Sequence, residues 1–241
     1  MPLLSADSIT ASYGDSRAVT DISLSLEQGE LLAFVGANGA GKSTLLRVLA
    51  GAHRPGSGTV TFKDREVTAL RDFQRNRLGI SLVPEGRRLF ASLTVRENLM
   101  VGAGSRRSGA WNVDSVVAAL PMIEPLLARN ASRLSGGQQQ AVAIGRSLMS
   151  NPEVLLLDEV SLGLAPIIID ELYRCLDVVR ASGLGIILVE QDLARTIAVA
   201  DRILCMLEGH LVLEGTPAEL THDQITDAYF GHSIASFETE A

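Results

Sequence analysis

The chain has 241 residues, two cysteines and a formal net charge of -7, and 46% of its residues are hydrophobic. This length supports one large domain whose core needs no disulfide framework, and the acidic balance argues against a nucleic-acid partner, because phosphates select a basic surface. No window supplies the roughly 18–20 continuous apolar residues of a membrane-spanning helix, and no signal peptide is recognisable, so we expect a cytoplasmic protein.

The apolar segments follow two patterns, which predict two kinds of strand. Residues 22–26 and 58–62 alternate between apolar and polar, as in a half-buried antiparallel sheet. Five other runs are continuously apolar, the pattern of parallel strands that are covered on both faces. Helical stretches separate most of them, which predicts an α/β core with right-handed crossovers. These five runs are residues 31–35, 80–83, 154–157, 186–189 and 203–207.

The middle of the chain has a helical pattern. Thr94 and Glu97 form a capping box that predicts a helix through about Val101. From there to Ser150 no strand pattern occurs, so we expect a helical insertion, interrupted by the loop 102–109 and by Pro121 and Pro125. Later, Pro166 suits the first turn of a helix that Gly183 would end, and the polar tail after Gly231 is expected to fray.

A phosphate-binding loop is predicted at residues 36–44. The segment satisfies G-x-x-x-x-G-K-[ST] between an apolar strand and a helical pattern, which is the context that the motif requires. Its backbone N–H groups would surround phosphate oxygens, Lys42 would bridge the β- and γ-phosphates, and the Ser43 hydroxyl would bind Mg²⁺. We therefore predict a nucleoside triphosphate and Mg²⁺ as ligands, and the family resemblance described below implies that the nucleotide is ATP. The expected nucleotide contacts are Gly36, Asn38, Gly39, Ala40, Gly41, Lys42, Ser43 and Thr44.

Two carboxylates follow the apolar run 154–157. Asp158 is expected to hold Mg²⁺ through water, and Glu159 to orient and polarise the attacking water. Acidic residues after a strand also serve as helix caps, which is the alternative interpretation. The phosphate loop in the same chain favours the catalytic one.

A second helix start able to bind an anion is predicted at residues 134–138, which read Leu-Ser-Gly-Gly-Gln. Ser135 would cap the helix, and the glycines would allow a ligand to approach closely. The alternative is an ordinary Ser-Gly-Gly helix start.

Together these three motifs resemble the ATP-binding subunits of ABC transporters. The resemblance implies that Tyr13 stacks on adenine and that the 134–138 run covers the γ-phosphate of a partner chain. Two such subunits would then close on two ATP molecules, and hydrolysis would reopen the pair. The contacts implied across this interface are Ser135, Gly136, Gly137 and Gln138.

Departures from the commonest family pattern narrow the resemblance. Glu85 stands where most members have a glutamine that monitors Mg²⁺, and Gln191 stands where most have a histidine that contacts the γ-phosphate. Residues 161–166 read Ser-Leu-Gly-Leu-Ala-Pro in place of Ser-Ala-Leu-Asp. This combination resembles one ATPase of branched-chain amino acid importers, although Val160 replaces the proline usual in that group. Glutamine can donate a hydrogen bond to phosphate but cannot shuttle a proton.

The resemblance implies specific partners and a location. They are a homologous ATPase subunit, identical or different, two membrane permease subunits, and a periplasmic or extracellular solute-binding protein. The chain would lie peripherally on the cytoplasmic face of the plasma membrane, without nucleic acid. The surface near Phe90, Leu93, Arg87 and Arg88 would receive a short helix of the membrane subunit, or would be an ordinary solvated charged face.

The resemblance also predicts the architecture: an α/β P-loop NTPase with a RecA-like core, an antiparallel β subdomain and a helical subdomain that carries the 134–138 run. We expect one ABC ATPase domain over residues 1–241, with residues 1–86 and 151–241 in the core and β subdomain and about 87–150 in the helical subdomain. The alternatives are ATPases of urea or amide transporters, or of lipopolysaccharide transporters, which keep the histidine that Gln191 replaces. Ribosome-associated and DNA-repair ABC proteins are less compatible, because they need two cassettes or a long coiled coil.

Overall fold

A computed structural model describes residues 1–230, so the predicted tail lies outside the described residues. In chain order, the strands are β1 (Leu4–Tyr13), β2 (Ser16–Leu26), β3 (Leu31–Val35), β4 (Ser57–Phe62), β5 (Arg65–Glu66), β6 (Ile80–Val83), β7 (Val154–Asp158), β8 (Gly185–Val189), β9 (Arg202–Leu207) and β10 (His210–Gly215). The α-helices are α1 (Lys42–Ala50), α2 (Asp72–Leu78), α3 (Val95–Gly102), α4 (Val113–Ala119), α5 (Gly136–Leu148), α6 (Pro166–Ala181), α7 (Leu193–Val199) and α8 (His222–Phe230).

The larger sheet has the order β10-β9-β3-β8-β7-β6. Its five strands from β9 to β6 are parallel, and β10 pairs antiparallel with β9. Every residue of β3, β7 and β8 is buried, which confirms the prediction of strands covered on both faces. Because the carboxyl ends of parallel strands share one edge, the segments that follow β3, β8 and β7 lie side by side.

The smaller sheet is antiparallel, with the order β2-β1-β4-β5. In β2 the alternation is as predicted, with Ile22, Leu24 and Leu26 buried. Strands β1, β5 and β10 were not predicted. The register of β1 with β2 shifts three times, which breaks the strict alternation that the prediction relied on.

The middle of the chain is helical, as predicted. Helix α3 begins at the predicted box, where Glu97 N–H donates to Thr94 Oγ1 at 3.2 Å and Thr94 N–H donates to Glu97 Oε2 at 2.8 Å. Within residues 87–150 the described backbone has no strand, and Thr94 and Asn130 form an isolated bridge. Part of the expected loop lies in one 3₁₀ turn, both prolines lie in a second, and a third such turn connects to the 134–138 run. These turns are Ala103–Ser105, Pro121–Leu126 and Ala131–Arg133.

Two apolar clusters cover the two faces of the larger sheet. One joins Leu155 and Leu157 of β7 to Leu99 of α3 and to helices α4, α5 and α6. The other joins Leu156 of β7 to Leu46 of α1 and to the antiparallel sheet. The larger sheet therefore packs against the helices 87–150 on one face and against α1 and the antiparallel sheet on the other.

The bounds of α6 agree with the prediction, and a basic run at residues 71–77, before β6, contains a buried arginine. Pro166 lies in the first turn of α6 and Gly183 follows its end, as predicted. Arg75, in the basic run 71–77, is wholly buried and donates to the carbonyls of Val48 and Leu49 at the end of α1. Across the described residues, none of the helices has the length and apolar character needed to cross a membrane.

Candidate active site

The phosphate loop connects β3 to the amino terminus of α1. Gly36 and Gly41 have φ values of 145° and 99°. A Cβ on Gly36 would lie 2.1 Å from Met206 O, and a Cβ on Gly41 would lie 2.3 Å from Ala18 O. Both positions therefore require glycine, for conformation and for space.

Lys42 is the first residue of α1 and is almost fully buried. Its ammonium donates to the carbonyls of Gly36 at 2.6 Å and Ala37 at 3.0 Å, so the loop curls around it. Burial lowers the pKa of Lys42, while the charges of Glu159 and Asp158 oppose that change. The cation is thus held at the helix start, where phosphate oxygens are bound in loops of this type.

One shallow cavity of about 210 Å³ brings eight of the predicted site residues together. Ala18 of β2 also lines it and was not predicted. The predicted residues that line it are Tyr13, Gly39, Ala40, Gly41, Lys42, Ser43, Thr44 and Glu159. The other predicted site residues do not line this cavity; they are Gly36, Asn38, Glu85, residues 134–138, Asp158 and Gln191.

Asp158 ends β7 beside the phosphate loop. Its Oδ1 accepts the Ser43 hydroxyl at 2.7 Å, whereas its buried Oδ2 has no partner. Burial raises the pKa of Asp158, the hydrogen bond from Ser43 opposes this, and the charges of Glu159 and Glu85 add to it. A carboxylate and a hydroxyl are oxygen ligands that suit Mg²⁺. No cluster of three or more metal-binding side chains occurs in residues 1–230, and Mg²⁺ that is also bound by water and phosphate needs none.

Glu159 lies directly after β7, and Gln191 lies after the neighbouring strand β8. Gln191 Nε2 donates to Glu159 Oε2 at 2.8 Å, so the two predicted residues are in contact. Glu159 has a φ of 47°, in the left-handed region. Glu85 is exposed on the turn after β6, and its charge acts on Asp158.

Tyr13 ends β1, and 47% of its surface is exposed. The ring of His53 lies against it, with 4.5 Å between centroids, and His53 Nε2 is 3.1 Å from Ser12 O. An exposed aromatic ring at the rim of the phosphate-loop cavity can stack on a base. His53 was not predicted, since a single histidine in a polar turn gives no pattern.

Ser135 caps α5, as predicted: its Oγ accepts from Gln138 N–H at 3.4 Å, and Gln138 Oε1 accepts from Ser135 N–H at 3.0 Å. A Cβ on Gly137 would lie 2.2 Å from Ile168 Cγ2, so this glycine allows α5 to contact α6. Gly136 faces the flexible guanidinium of Arg87. The first N–H groups of α5 lack partners within the helix, which leaves them able to bind an anion.

Glu190 and Ser161 were also missed. Glu190 is 2% exposed, and its carboxylate accepts from the Ser161 N–H at 3.0 Å and from the Ser161 hydroxyl at 2.6 Å. Burial raises the pKa of Glu190, while the hydrogen bonds from Ser161 oppose this. An acidic residue directly after an apolar strand was the available signal, since the same pattern identified Asp158.

A phosphate loop between a parallel strand and a helix, with a carboxylate at the end of a nearby strand, defines a P-loop nucleotide hydrolase. The family model described as "ABC transporter" matches residues 19–161. The chain belongs to this family and is an ABC-type ATP hydrolase, as the motifs predicted.

Two relatives and one solved structure show how far the similarity extends. The High-affinity branched-chain amino acid transport ATP-binding protein BraG of Pseudomonas aeruginosa is 40% identical over 95% of this chain and 100% of its own length. The Lipopolysaccharide export system ATP-binding protein LptB of Escherichia coli K12 is 32% identical over 97% of this chain and 99% of its own. The ADP conformation of MJ1267, an ATP-binding cassette of an ABC transporter, superposes with a TM-score of 0.81, at 26% identity over 94% of both chains. The predicted resemblance and fold class are confirmed.

Proposed function

We propose that this chain supplies ATP hydrolysis to an importer of branched-chain amino acids. The 40% identity to BraG along nearly the whole chain carries this assignment of the solute. The contact between Glu159 and Gln191 supports the assignment of the chemistry, because it holds a carboxylate at the rim of the phosphate-loop cavity.

Lys42, Ser43 and Asp158 would hold the triphosphate and its metal. Lys42 is positioned by the helix start, and its ammonium would bridge the β- and γ-phosphates. Ser43 Oγ and the unpartnered Asp158 Oδ2 would hold Mg²⁺, the latter through water. Bound Mg²⁺ supplies charge that stabilises the phosphoryl transition state. Tyr13 would stack on adenine, and the remaining residues of the 36–44 loop would contact the phosphates through N–H groups.

Glu159 would accept the proton of the attacking water. Its carboxylate already accepts a hydrogen bond from the Gln191 amide, which fixes the side chain. Because a side-chain amide neither gains nor loses a proton near neutral pH, Gln191 can orient Glu159 but cannot replace it as the base. Glu85, on the turn after β6, would sense the same metal site through its charge.

A second ATPase subunit would complete each site. Ser135, Gly136, Gly137 and Gln138 do not line the cavity of their own chain, yet they form a helix start suited to an anion. We assign them to the γ-phosphate held by a partner, either a copy or a homologue. Glu159→Gln should therefore bind ATP, hydrolyse it poorly and accumulate as an ATP-bound dimer. Normal turnover in this variant would refute the role of Glu159.

Two membrane permease subunits are the proposed partners at the surface formed by α2, β6 and α3. A cavity of about 510 Å³ between α2, β6 and α3 is lined by Phe73, Val101, Arg88 and Arg146. Next to it, Phe90 is half exposed, and the Arg146 guanidinium lies 5.9 Å from its ring centroid. This apolar and basic surface suits an amphipathic helix that carries a carboxylate, and it would place the chain peripherally at the cytoplasmic face of the membrane.

The helical region 87–150 would form its own subdomain, and the rest of the chain would form the core and the β subdomain of a single ATPase domain. The continuous apolar cluster between β7 and helices α3, α4 and α5 supports a single domain. The absence of strands from the described residues 87–150 supports the division.

The transported solute distinguishes the proposed importer from the alternative transporters. Similarity to LptB favours a lipopolysaccharide exporter as the second candidate. The complex should be purified from membranes, and its ATPase rate measured with leucine, isoleucine, valine, urea or lipopolysaccharide, with and without a solute-binding protein. Stimulation by the branched-chain amino acids supports the proposal. Stimulation by lipopolysaccharide or urea alone, or the absence of any membrane partner, refutes it.

A further inference from the structure

Glu190 is a buried carboxylate next to the hydrolytic residues that the proposed mechanism does not use. It follows the last residue of β8, and only 2% of its surface is exposed. Its two oxygens accept both hydrogen-bond donors of a single residue, the N–H and the hydroxyl of Ser161. Ser161 lies two residues after Glu159, so this contact fixes the chain just beyond the catalytic carboxylate.

Glu159 needs such support because of its backbone. A φ of 47° is uncommon for a residue with a side chain, and it persists only where the surroundings hold it. The turn is held on its near side by β8, since Glu159 N–H donates to Val189 O at 3.0 Å. On its far side, Ser161 is held by the Glu190 carboxylate.

Three consecutive residues therefore hold three parts of one turn. Val189 binds the Glu159 backbone through its carbonyl, Glu190 binds Ser161 through its carboxylate, and Gln191 binds the Glu159 carboxylate through its amide at 2.8 Å. Because Ser161 lies only two residues after Glu159, we expect a shift of Ser161 to change the direction in which the Glu159 carboxylate faces Gln191.

We propose that Glu190 is a positioning residue for ATP hydrolysis, which fixes Ser161 so that the strained Glu159 turn keeps its carboxylate aligned on Gln191. This inference rests on the proposed role of Glu159 as the base. A purely structural role is the competing explanation. If the role were only structural, an apolar side chain could fill this position after β8. It would avoid the free-energy cost of desolvating a carboxylate, so the buried acid favours a role in positioning.

The test compares variants that keep or remove the two hydrogen bonds. In Glu190→Gln, the amide oxygen can accept from the Ser161 N–H and the amide nitrogen can donate to its hydroxyl, so both contacts persist without charge. Glu190→Met keeps the volume and removes both contacts. We expect kcat to fall about tenfold or more in Glu190→Met, the size of a lost hydrogen bond to a charged group, and to stay within about threefold in Glu190→Gln.

The measurement is steady-state ATP hydrolysis by the full chain assembled with its partner ATPase and membrane subunits. The ATP KM should stay within about twofold in both variants, because Glu190 does not line the nucleotide cavity. Ser161→Ala, which removes the hydroxyl alone, should lower kcat by about threefold to tenfold. Added to Glu190→Met it should cost nothing further, since the contact is already lost.

The outcomes separate this inference from the proposed function. A wild-type kcat in Glu190→Met overturns the positioning role. An equal fall of kcat in Glu190→Met and Glu190→Gln overturns it as well. If Glu190→Met does not assemble, Ser161→Ala decides, and an unchanged kcat overturns the role. Glu159→Gln is measured in the same assay: normal hydrolysis there refutes the role of Glu159 itself, whereas its loss beside a fully active Glu190→Met refutes the Glu190 inference alone.

Discussion

Gly137 offers a direct test of why the Leu-Ser-Gly-Gly-Gln run needs its second glycine. In Gly137→Ala, the new Cβ would lie 2.2 Å from Ile168 Cγ2, whereas ordinary contacts begin at 3.4 Å. Helix α5 or the Ile168 side chain must therefore move by about 1.2 Å, and overpacking of this kind costs about 1–3 kcal/mol. Replacing glycine in a helix returns about 0.5–1 kcal/mol. The difference is a net loss of about 1 kcal/mol, within a range of about 0–2.5 kcal/mol.

Gly136→Ala is the matched control. Its Cβ would meet only the mobile end of Arg87, at 3.0 Å, so the packing cost is small and the helix gain remains. Thermal unfolding of the full chain should show a Tm lower by about 2–4 °C for Gly137→Ala and an unchanged or higher Tm for Gly136→Ala. Ile168→Ala should remove the clash, so the double variant with Gly137→Ala should lose less stability than the two single losses added. Equal Tm values for the two glycine variants, or strict additivity with Ile168→Ala, would refute this steric explanation.

Three further predictions concern stability. Arg75→Met should lower the free energy of unfolding, measured in urea, by about 2–4 kcal/mol, because buried carbonyls at the end of α1 lose their donor. Arg65→Met, on the exposed strand β5, is the control and should change it little. Similar losses in both variants would contradict the role of Arg75. Thr94→Ala should cost about 1 kcal/mol in the same assay through loss of the α3 cap, and an unchanged midpoint would show that the box is dispensable. Burial raises the pKa of Glu190, so the folded chain binds that proton more tightly than the unfolded chain, and the free energy of unfolding falls as pH rises above the ordinary value of 4.5. Glu190→Gln lacks this titration, so its Tm relative to the wild type should rise between pH 5 and pH 8, and a constant difference would contradict this sign.

Local patterns predicted the phosphate loop because all its determinants are adjacent in the chain. A buried strand, three glycines with positive φ and a helix start lie within residues 31–50, and each leaves a recognisable residue type. The same holds for the capping box at Thr94 and the Ser135 cap. In these places the residue type and the local conformation determine each other.

Contacts between distant segments could not be predicted in the same way. Glu190 and Ser161 are 29 residues apart, and they meet only because β7 and β8 are neighbours, with Asp158 opposite Val189. Apolar runs identify strands but not their order in the sheet. The contact of Gly137 with Ile168 likewise depends on how α5 packs on α6.

Charge alone also misleads about location. Arg75 stands in a run of basic residues typical of a solvated surface, yet its guanidinium is fully buried beneath α1. Burial lowers its pKa to about 10, which still leaves it charged at neutral pH. It is tolerated there because carbonyl oxygens of α1 and of the segment before α2 accept its hydrogen bonds, and a sequence pattern does not show which carbonyls will be available.

The carboxylates near the phosphate loop interact with one another and with Lys42 through their charges. The charges of Asp158 and Glu159 act on Lys42, and the charge of Glu85 acts on Asp158, so three carboxylates lie near the phosphate loop. These carboxylates would repel ATP unless a divalent cation bound with it, and their mutual repulsion would turn them away from one another. The hydrogen bonds from Ser43 to Asp158 and from Gln191 to Glu159 oppose that tendency, each supplied by a neighbouring segment at the same sheet edge. The parallel order β3-β8-β7 is thus what lets one edge collect these charges and restrain each of them.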